Sequence, residues 1–141
     1  MFDRCLYFNL NALSRQVNRI WDRAFAELDL SPSHAYLLRV VLANPGITQK
    51  AIAEEMKLEK STITRFINAL EEKRLVVRKR LARGDGREYH IRPTKKAERL
   101  HEELEKTASS LARRMSKKLG AKNVKQLVEQ LRQIENELAE D

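Results

Sequence analysis

Lys60-Ser61-Thr62-Ile63-Thr64-Arg65-Phe66-Ile67-Asn68-Ala69-Leu70 lies within a stretch, Thr48 to Thr94, around which the rest of the chain is organised. Ile63, Ile67 and Leu70 recur at helical spacing and predict a helix with one apolar face turned to a core. Ser61, Thr62, Thr64, Arg65 and Asn68 fall mostly off that stripe. They are short donors and acceptors plus one guanidinium, the side chains that read base edges in a major groove. An ordinary solvated helix face has the same pattern. The helix alone does not decide between the two.

The residues that follow it weigh on one side. Leu75-Val76-Val77-Arg78-Lys79-Arg80-Leu81 is rich in β-branched residues, and Arg87-Glu88-Tyr89-His90-Ile91-Arg92 reads as a return strand with Tyr89 and Ile91 on one face. Gly84-Asp85-Gly86 stands between them, and Asp-Gly between two extended runs is a strong hairpin signal. Seven basic residues (Lys73, Arg74, Arg78, Lys79, Arg80, Arg83, Arg87) against Asp85 give positions 73–87 a net charge of +6. A basic hairpin beside a hydroxyl-rich helix is the footprint of a duplex-binding module. Upstream, Ile47-Thr48-Gln49 opens a preceding short helix. Thr48 is its cap, and Ala51, Ile52 and Met56 are expected to face inward.

This stretch resembles the winged helix-turn-helix of the MarR (multiple antibiotic resistance regulator) family of transcription regulators. Ser61-Thr62-Ile63-Thr64-Arg65 is similar to the family's recognition helix, Leu70-Glu71-Glu72-Lys73-Arg74-Leu75-Val76 to the exit from that helix, and Asp85-Gly86-Arg87 to the Asp-x-Arg of the wing. Two positions depart from the pattern. Arg92-Pro93-Thr94-Lys95-Lys96-Ala97 replaces the usual Leu-Thr-x-x-Gly, and Arg74 stands where Gly is common. Both departures bear on local backbone geometry and neither on a base-reading position. The resemblance implies a mainly α fold with a small hairpin wing and long terminal dimerisation helices. It also implies a homodimer on double-stranded DNA, commonly a repressor on a palindromic operator, released by a small aromatic or lipophilic ligand. It places Arg87 in a minor groove, with Asp85 orienting it or a neighbouring Arg. Lys79 and Arg83 are expected on phosphates, which position without reading sequence. Ser33 and His34 are weaker phosphate candidates.

The flanks are consistent with this. Leu6, Leu10, Leu13, Val17, Ile20 and Ala24 step by fours and threes through a helix expected from about Phe2 to Leu28. Ser31-Pro32 starts a second, core helix that ends before Asn44-Pro45-Gly46. Pro93-Thr94 opens a long helix striped by Ala97, Leu100, Leu104, Ala108, Leu111, Met115 and Leu119, with Gly120 as a left-handed stop. A last helix is expected from about Asn123, with a capping-box-like Asn123–Gln126 pair and a seam of Val124, Leu127, Val128, Leu131, Ile134 and Leu138. The terminal seams find cover across a two-fold axis, or within a monomeric bundle. The organisation expected is one domain, 1–141, with a DNA-binding lobe at 31–94 and dimerisation helices at 1–30 and 95–141.

The 141 residues carry a net charge of +8, and Asn44 to Arg92 supplies +5 of it, twelve basic residues against seven acidic. That concentration points to nucleic acid rather than a membrane. No apolar run approaches spanning length, no secretory leader is read, and the single Cys5 suits a reducing cytoplasm. His34, His90 and His101 share no metal-ligand spacing, and no cofactor motif or catalytic constellation is read. Two other readings stay open: a winged-helix protein-interaction module, and a redox-sensing regulator using Cys5, as in one branch of the resembled family. Trp21, Tyr36 and Arg15 are candidates for an aromatic wall and a cation facing a ligand carboxylate.

Overall fold

A computed structural model describes residues 1–80 and 88–139. Among these the order is α1 (Leu6–Ala26), α2 (Pro32–Ala43), β1 (Ile47–Thr48), α3 (Gln49–Met56), α4 (Lys60–Glu72), β2 (Val76–Arg80), β3 (Tyr89–Pro93), α5 (Lys95–Leu119) and α6 (Ala121–Leu138). Contacts divide the chain into two units, Met1–Glu105 and Lys106–Asp141. The fold is mainly α, a winged helix with a small antiparallel sheet.

In the first unit, local signals set the helix starts. Ser31 Oγ accepts the His34 N–H at 3.2 Å and Pro32 opens α2. Thr48 Oγ1 accepts from Ala51 N, and Thr94 Oγ1 accepts from Ala97 N. Each hydroxyl satisfies one orphan donor of a first turn. α2 touches α1, α3, α4 and β3, the position expected of a central helix. Its Leu37, Leu38 and Val41 are fully buried, as are Ile52, Ile63, Ile67, Leu70 and Ile91.

Three helices in this unit end the same way without glycine. Asp29, Lys57 and Arg74 have φ of 55°, 55° and 59°. In each case the following N–H reaches back across the last turn: Leu30 to Phe25 O, Leu58 to Ala53 O, and Leu75 to Leu70 O. This is the Schellman arrangement, with a side chain held in the left-handed region that glycine occupies without cost. Arg74 therefore adopts the conformation for which the family pattern has Gly.

The sheet runs β1-β3-β2, antiparallel throughout, with Arg78 opposite Ile91 and Thr48 opposite His90. The third strand, β1, is a difference from the sequence reading, and at two residues it is too short for any alternation to declare it. Pro93 ends β3 rather than opening α5, and α1 begins at Leu6 rather than Phe2. In α3, Ile52 and Ala53 are buried, while Ala51 and Met56 are half-buried.

The second unit holds the remainder of α5 and all of α6. Gly120 joins them with φ 91° and ψ 129°, so it is not the left-handed stop expected, although its positive φ still suits glycine. α6 begins at Ala121, not near Asn123. The Asn123 side chain donates to the Leu119 carbonyl at 2.9 Å, closing the end of α5 rather than forming a box with Gln126.

Candidate nucleic-acid interface

α4 is held from behind by Ile63, Ile67 and Leu70, which fixes its rotation about its own axis. Ser61, Arg65 and Asn68 emerge exposed on the other side, with Thr62 and Thr64 half-buried at the margins. The face expected to be polar and outward is so placed. A cleft of about 580 Å³ opens beside it, lined in part by Gln49, Lys50, Lys60, Thr64, Asn68, Arg78 and Tyr89. Lys50 and Lys60, both exposed, supply charge there that the sequence reading did not single out. The signal for Lys60 in the sequence is its place as the first residue of α4.

Several groups on this face already have partners. Arg78 lies across the end of α4. It pairs with the Glu71 carboxylate and donates through Nη2 to Thr64 O at 3.2 Å and to Asn68 Oδ1 at 2.6 Å. The Thr64 hydroxyl donates to Lys60 O at 2.9 Å and accepts from Gln49 Nε2, tying α3 to α4. Arg65 Nη2 approaches Thr62 Oγ1 at 3.4 Å, a long contact. Among the described residues, Ser61 is the one hydroxyl of positions 61–64 that makes no side-chain hydrogen bond.

On the hairpin, alternation puts Val76, Arg78 and Arg80 on the α4 side and Val77 and Lys79 on the other. Arg80 lies over the Tyr89 ring at 5.5 Å and donates from Nε to its hydroxyl at 3.2 Å. Lys79 is exposed on the opposite face, across from His90. Arg83, Asp85 and Arg87 lie outside the described residues. Ser33 is exposed near the start of α2, whereas the His34 ring packs edge-on against Phe66 at 5.0 Å. Burial first, and Lys73 second, lower the His34 pKa from its ordinary 6.5.

Of the ligand candidates, two converge. Trp21 Nε1 donates to the Tyr36 hydroxyl at 3.2 Å, and Phe25 meets the Tyr36 ring edge-on at 6.0 Å. Arg15 is exposed and takes no part in these contacts. The cation at Tyr36 is Arg39, one helical turn on, with Cζ 5.0 Å from the ring centroid. Arg39 also makes a bidentate pair with Glu105, at 2.8 and 3.1 Å. The hydrogen bond to Arg39 holds the Glu105 carboxyl below its ordinary 4.5. Cys5 is half-buried at the N-cap position of α1, and its carbonyl accepts the Asn9 side-chain amide at 2.8 Å. Among the described residues no group of His, Cys, Asp and Glu could hold a metal, and no helix is long and apolar enough to cross a membrane.

The sequence signature of the MarR family matches residues 28–88, which hold α2, β1, α3, α4 and β2. The backbone agrees: the transcriptional repressor CouR, solved bound to a 23-mer DNA duplex, superposes with a TM-score of 0.85 at 25% identity, covering 94% of each chain. Residues 28–88 are thus similar to the MarR family, and the whole backbone has the fold of its solved members. A second structure of the same fold is the PcaV transcriptional regulator from Streptomyces coelicolor in complex with its natural ligand, with a TM-score of 0.85, 22% identity, and coverage of 96% of this chain and 95% of that one. A candidate transcriptional regulatory protein for the hcr operon of Thauera aromatica is 41% identical over 49 residues, 35% of this chain. That match spans 30% of the Thauera protein's length. In this winged-helix fold α3 and α4 are the two helices of the helix-turn-helix, and β2 and β3 are the strands of the wing.

Proposed function

We propose that this chain is a sequence-specific regulator of transcription that binds double-stranded DNA as a homodimer, acting as a repressor on a palindromic operator. The observation that carries the reading is the pairing of an outward polar stripe on α4 with a basic cleft and hairpin beside it. The helix is locked in rotation, so its side chains meet a groove at fixed angles. The DNA-bound state of CouR supports the same use of the same fold. Residues 31–94 form the DNA-binding lobe, and 1–30 and 95–141 supply the dimerisation helices. Ser61, Thr62, Arg65 and Asn68 face bases, with Thr64 bracing the helix from within. Lys79 and Arg83 take phosphates, and Arg87, oriented by Asp85, enters the minor groove.

Release by a small molecule is part of this proposal, set by geometry rather than by competition for the DNA surface. Two joints, Asn44-Pro45-Gly46 and Arg92-Pro93-Thr94, flank the part of the lobe that holds α3, α4 and the sheet, and both are hydrogen-bonded to it. Gly46 N–H donates to Ile91 O, Thr94 N–H to Leu75 O, and the Thr94 hydroxyl to Arg74 O. That part is expected to move as one body. A palindrome fixes the separation of the two α4 helices near one helical turn, about 34–36 Å. A ligand preferring another separation lowers DNA affinity by its differential binding and by no more. An aromatic acid suits the Trp21, Tyr36 and Arg39 cluster, provided it displaces Glu105 from the guanidinium. By linkage, operator DNA weakens that ligand by the same factor. Titration of a bound aromatic acid with and without operator checks this, and equal affinities would remove the allosteric part.

Selection of bound sequences from a random duplex pool tests the function itself. An enriched inverted repeat is expected. Absence of any motif would favour a winged-helix protein-interaction module instead.

A further inference from the structure

The groups on the outward face of α4 are not equally free. Arg78 Nη2 carries two hydrogens, and both are used within the protein, on Thr64 O and on Asn68 Oδ1. Its Nη1 goes to Glu71, and the Arg78 side chain is only 19% exposed. The three paired hydrogens of Arg78 are thus not free for a phosphate or a base. Its effect reaches the surface through Asn68. An asparagine amide has one acceptor and one two-hydrogen donor, and a free one pairs with adenine by accepting from N6 and donating to N7. Here the acceptor is drawn toward the wing strand by a guanidinium 2.6 Å away. That places a donor beside the position adenine's own N6 donor would need. Guanine offers O6 and N7, both acceptors, and meets the remaining Nδ2 hydrogens without conflict. The neighbours reinforce the bias. Thr64 Oγ1 already donates to Lys60 O and accepts from Gln49, and Arg65, exposed one turn away, can only donate.

We propose that Arg78 is a positioning residue for base readout: by holding Asn68 Oδ1 toward the wing strand it makes Nδ2 the group that Asn68 offers a base, so that α4 selects guanine over adenine at the base pair Asn68 faces. This rests on the DNA-reading function proposed above. A purely structural role for Arg78, tying β2 to α4, would leave base preference untouched.

The test is selection from a random duplex pool with the full chain, comparing the parent with Asn68→Ala, Asn68→Asp and Arg78→Met. Asn68→Ala identifies the half-site position that Asn68 faces, because preference flattens there alone. In the parent that position should favour guanine over adenine on the order of tenfold, as expected for one well-made groove contact. Arg78→Met, which keeps the aliphatic stem and frees Oδ1, should move that position toward adenine and leave the others unchanged. Asn68→Asp removes the donor while keeping a partner for Arg78, and should abolish the guanine preference. Adenine at that position in the parent would overturn the proposal. So would a folded Arg78→Met protein with unchanged preference, or no position responding to Asn68→Ala. If Arg78→Met fails to fold, Asn68→Asp decides: guanine retained there overturns the proposal. No enriched motif for the parent at all would instead defeat the DNA-binding reading on which it rests.

Discussion

The winged lobe and the terminal helices carry the same kinds of apolar residue at the same helical spacing, and the two regions treat them differently. Ile63, Ile67 and Leu70 on α4 have no exposed surface. Leu127, Val128, Leu131, Ile134 and Leu138 on α6 remain 38–59% exposed, and Leu6, Leu10 and Leu13 on α1 are 42–61% exposed. Periodicity thus identifies an apolar face without identifying what covers it. Burying one such side chain is worth about 1.5–3 kcal/mol, so these seams hold several side chains' worth of unrealised stabilisation. A second copy of the chain is the cover proposed above.

The largest expected effects separate the two regions directly. Ile67→Ala leaves a cavity in a closed core and should cost about 2–5 kcal/mol at any protein concentration. Leu127→Asp with Leu131→Asp should instead act through association, because it would bury charge in the seam. Sedimentation should then show monomer or unfolded chain, and the parent's melting temperature should rise with concentration while the variant's does not. An unchanged oligomer would place the interface elsewhere.

The sequence was informative where one residue's chemistry decides a local outcome. Ser31-Pro32, Thr48 and Thr94 mark helix starts because a hydroxyl must meet orphan N–H groups. The α4 stripe follows from a period of 3.6 alone. It was silent where the outcome depends on distant parts meeting. β1 exists because β3 has a free edge beside Ile47, not because Ile47-Thr48 has a strand pattern. Arg78 counted as one more wing cation until the fold brought it to Glu71 and Asn68, seven and ten residues away. Arg39 was open to discovery, since Tyr36 and Arg39 are three apart on one helix and so share a face. Asn123 departs from the expected capping pair because its side chain serves the helix before it rather than its own.

Next in size are the DNA contacts. Arg65→Ala and Arg87→Ala should each weaken specific binding by about 1–3 kcal/mol. The cations sharpen the geometry, because they lie on different sides of the hairpin. Lys60→Ala, in the cleft beside α4, should weaken all sequences alike and reduce the salt dependence by about one phosphate contact. Lys79→Ala should do the same if the outer face of the wing also meets the backbone. A slope unchanged in Lys79→Ala but reduced in Lys60→Ala would confine the DNA to the cleft side.

Smaller still is the backbone at Arg74. Its φ of 59° places a branched-out side chain in the left-handed region at a cost of about 1–2 kcal/mol relative to a residue without Cβ. Glycine's greater freedom in the unfolded chain offsets about 0.4–1 kcal/mol of that. Arg74→Gly should therefore raise unfolding free energy by about 0.5–1 kcal/mol, measured by denaturant titration. A loss of stability would mean that the Arg74 side chain contributes more than its backbone costs.

The smallest effect is a pH dependence that belongs to the lobe and has no counterpart in the α6 seam. His34 is packed against Phe66 with Lys73 nearby, and both burial and that charge lower its pKa below 6.5. The folded chain therefore binds this proton less readily than the unfolded chain does. Between the two pKa values the unfolded state holds more protons, so stability rises with pH across that window. The contribution is fully present above about 6.5 and is lost as pH falls through the lower, folded value. Glu105 behaves alike in a separate window: its carboxyl is held below 4.5 by Arg39, so its contribution is lost only as pH falls below that value. Both groups are partly exposed, and solvent screening keeps each effect below about 1 kcal/mol. His34→Gln should flatten the stability profile just below pH 6.5 and leave the more acidic limb intact, while Glu105→Gln should do the reverse. Denaturant midpoints at half-unit pH steps distinguish the two. If His34→Gln leaves the profile just below pH 6.5 unchanged, the imidazole is as free to take its proton in the folded chain as in the unfolded one, and its packing on Phe66 is looser than the 5.0 Å contact implies.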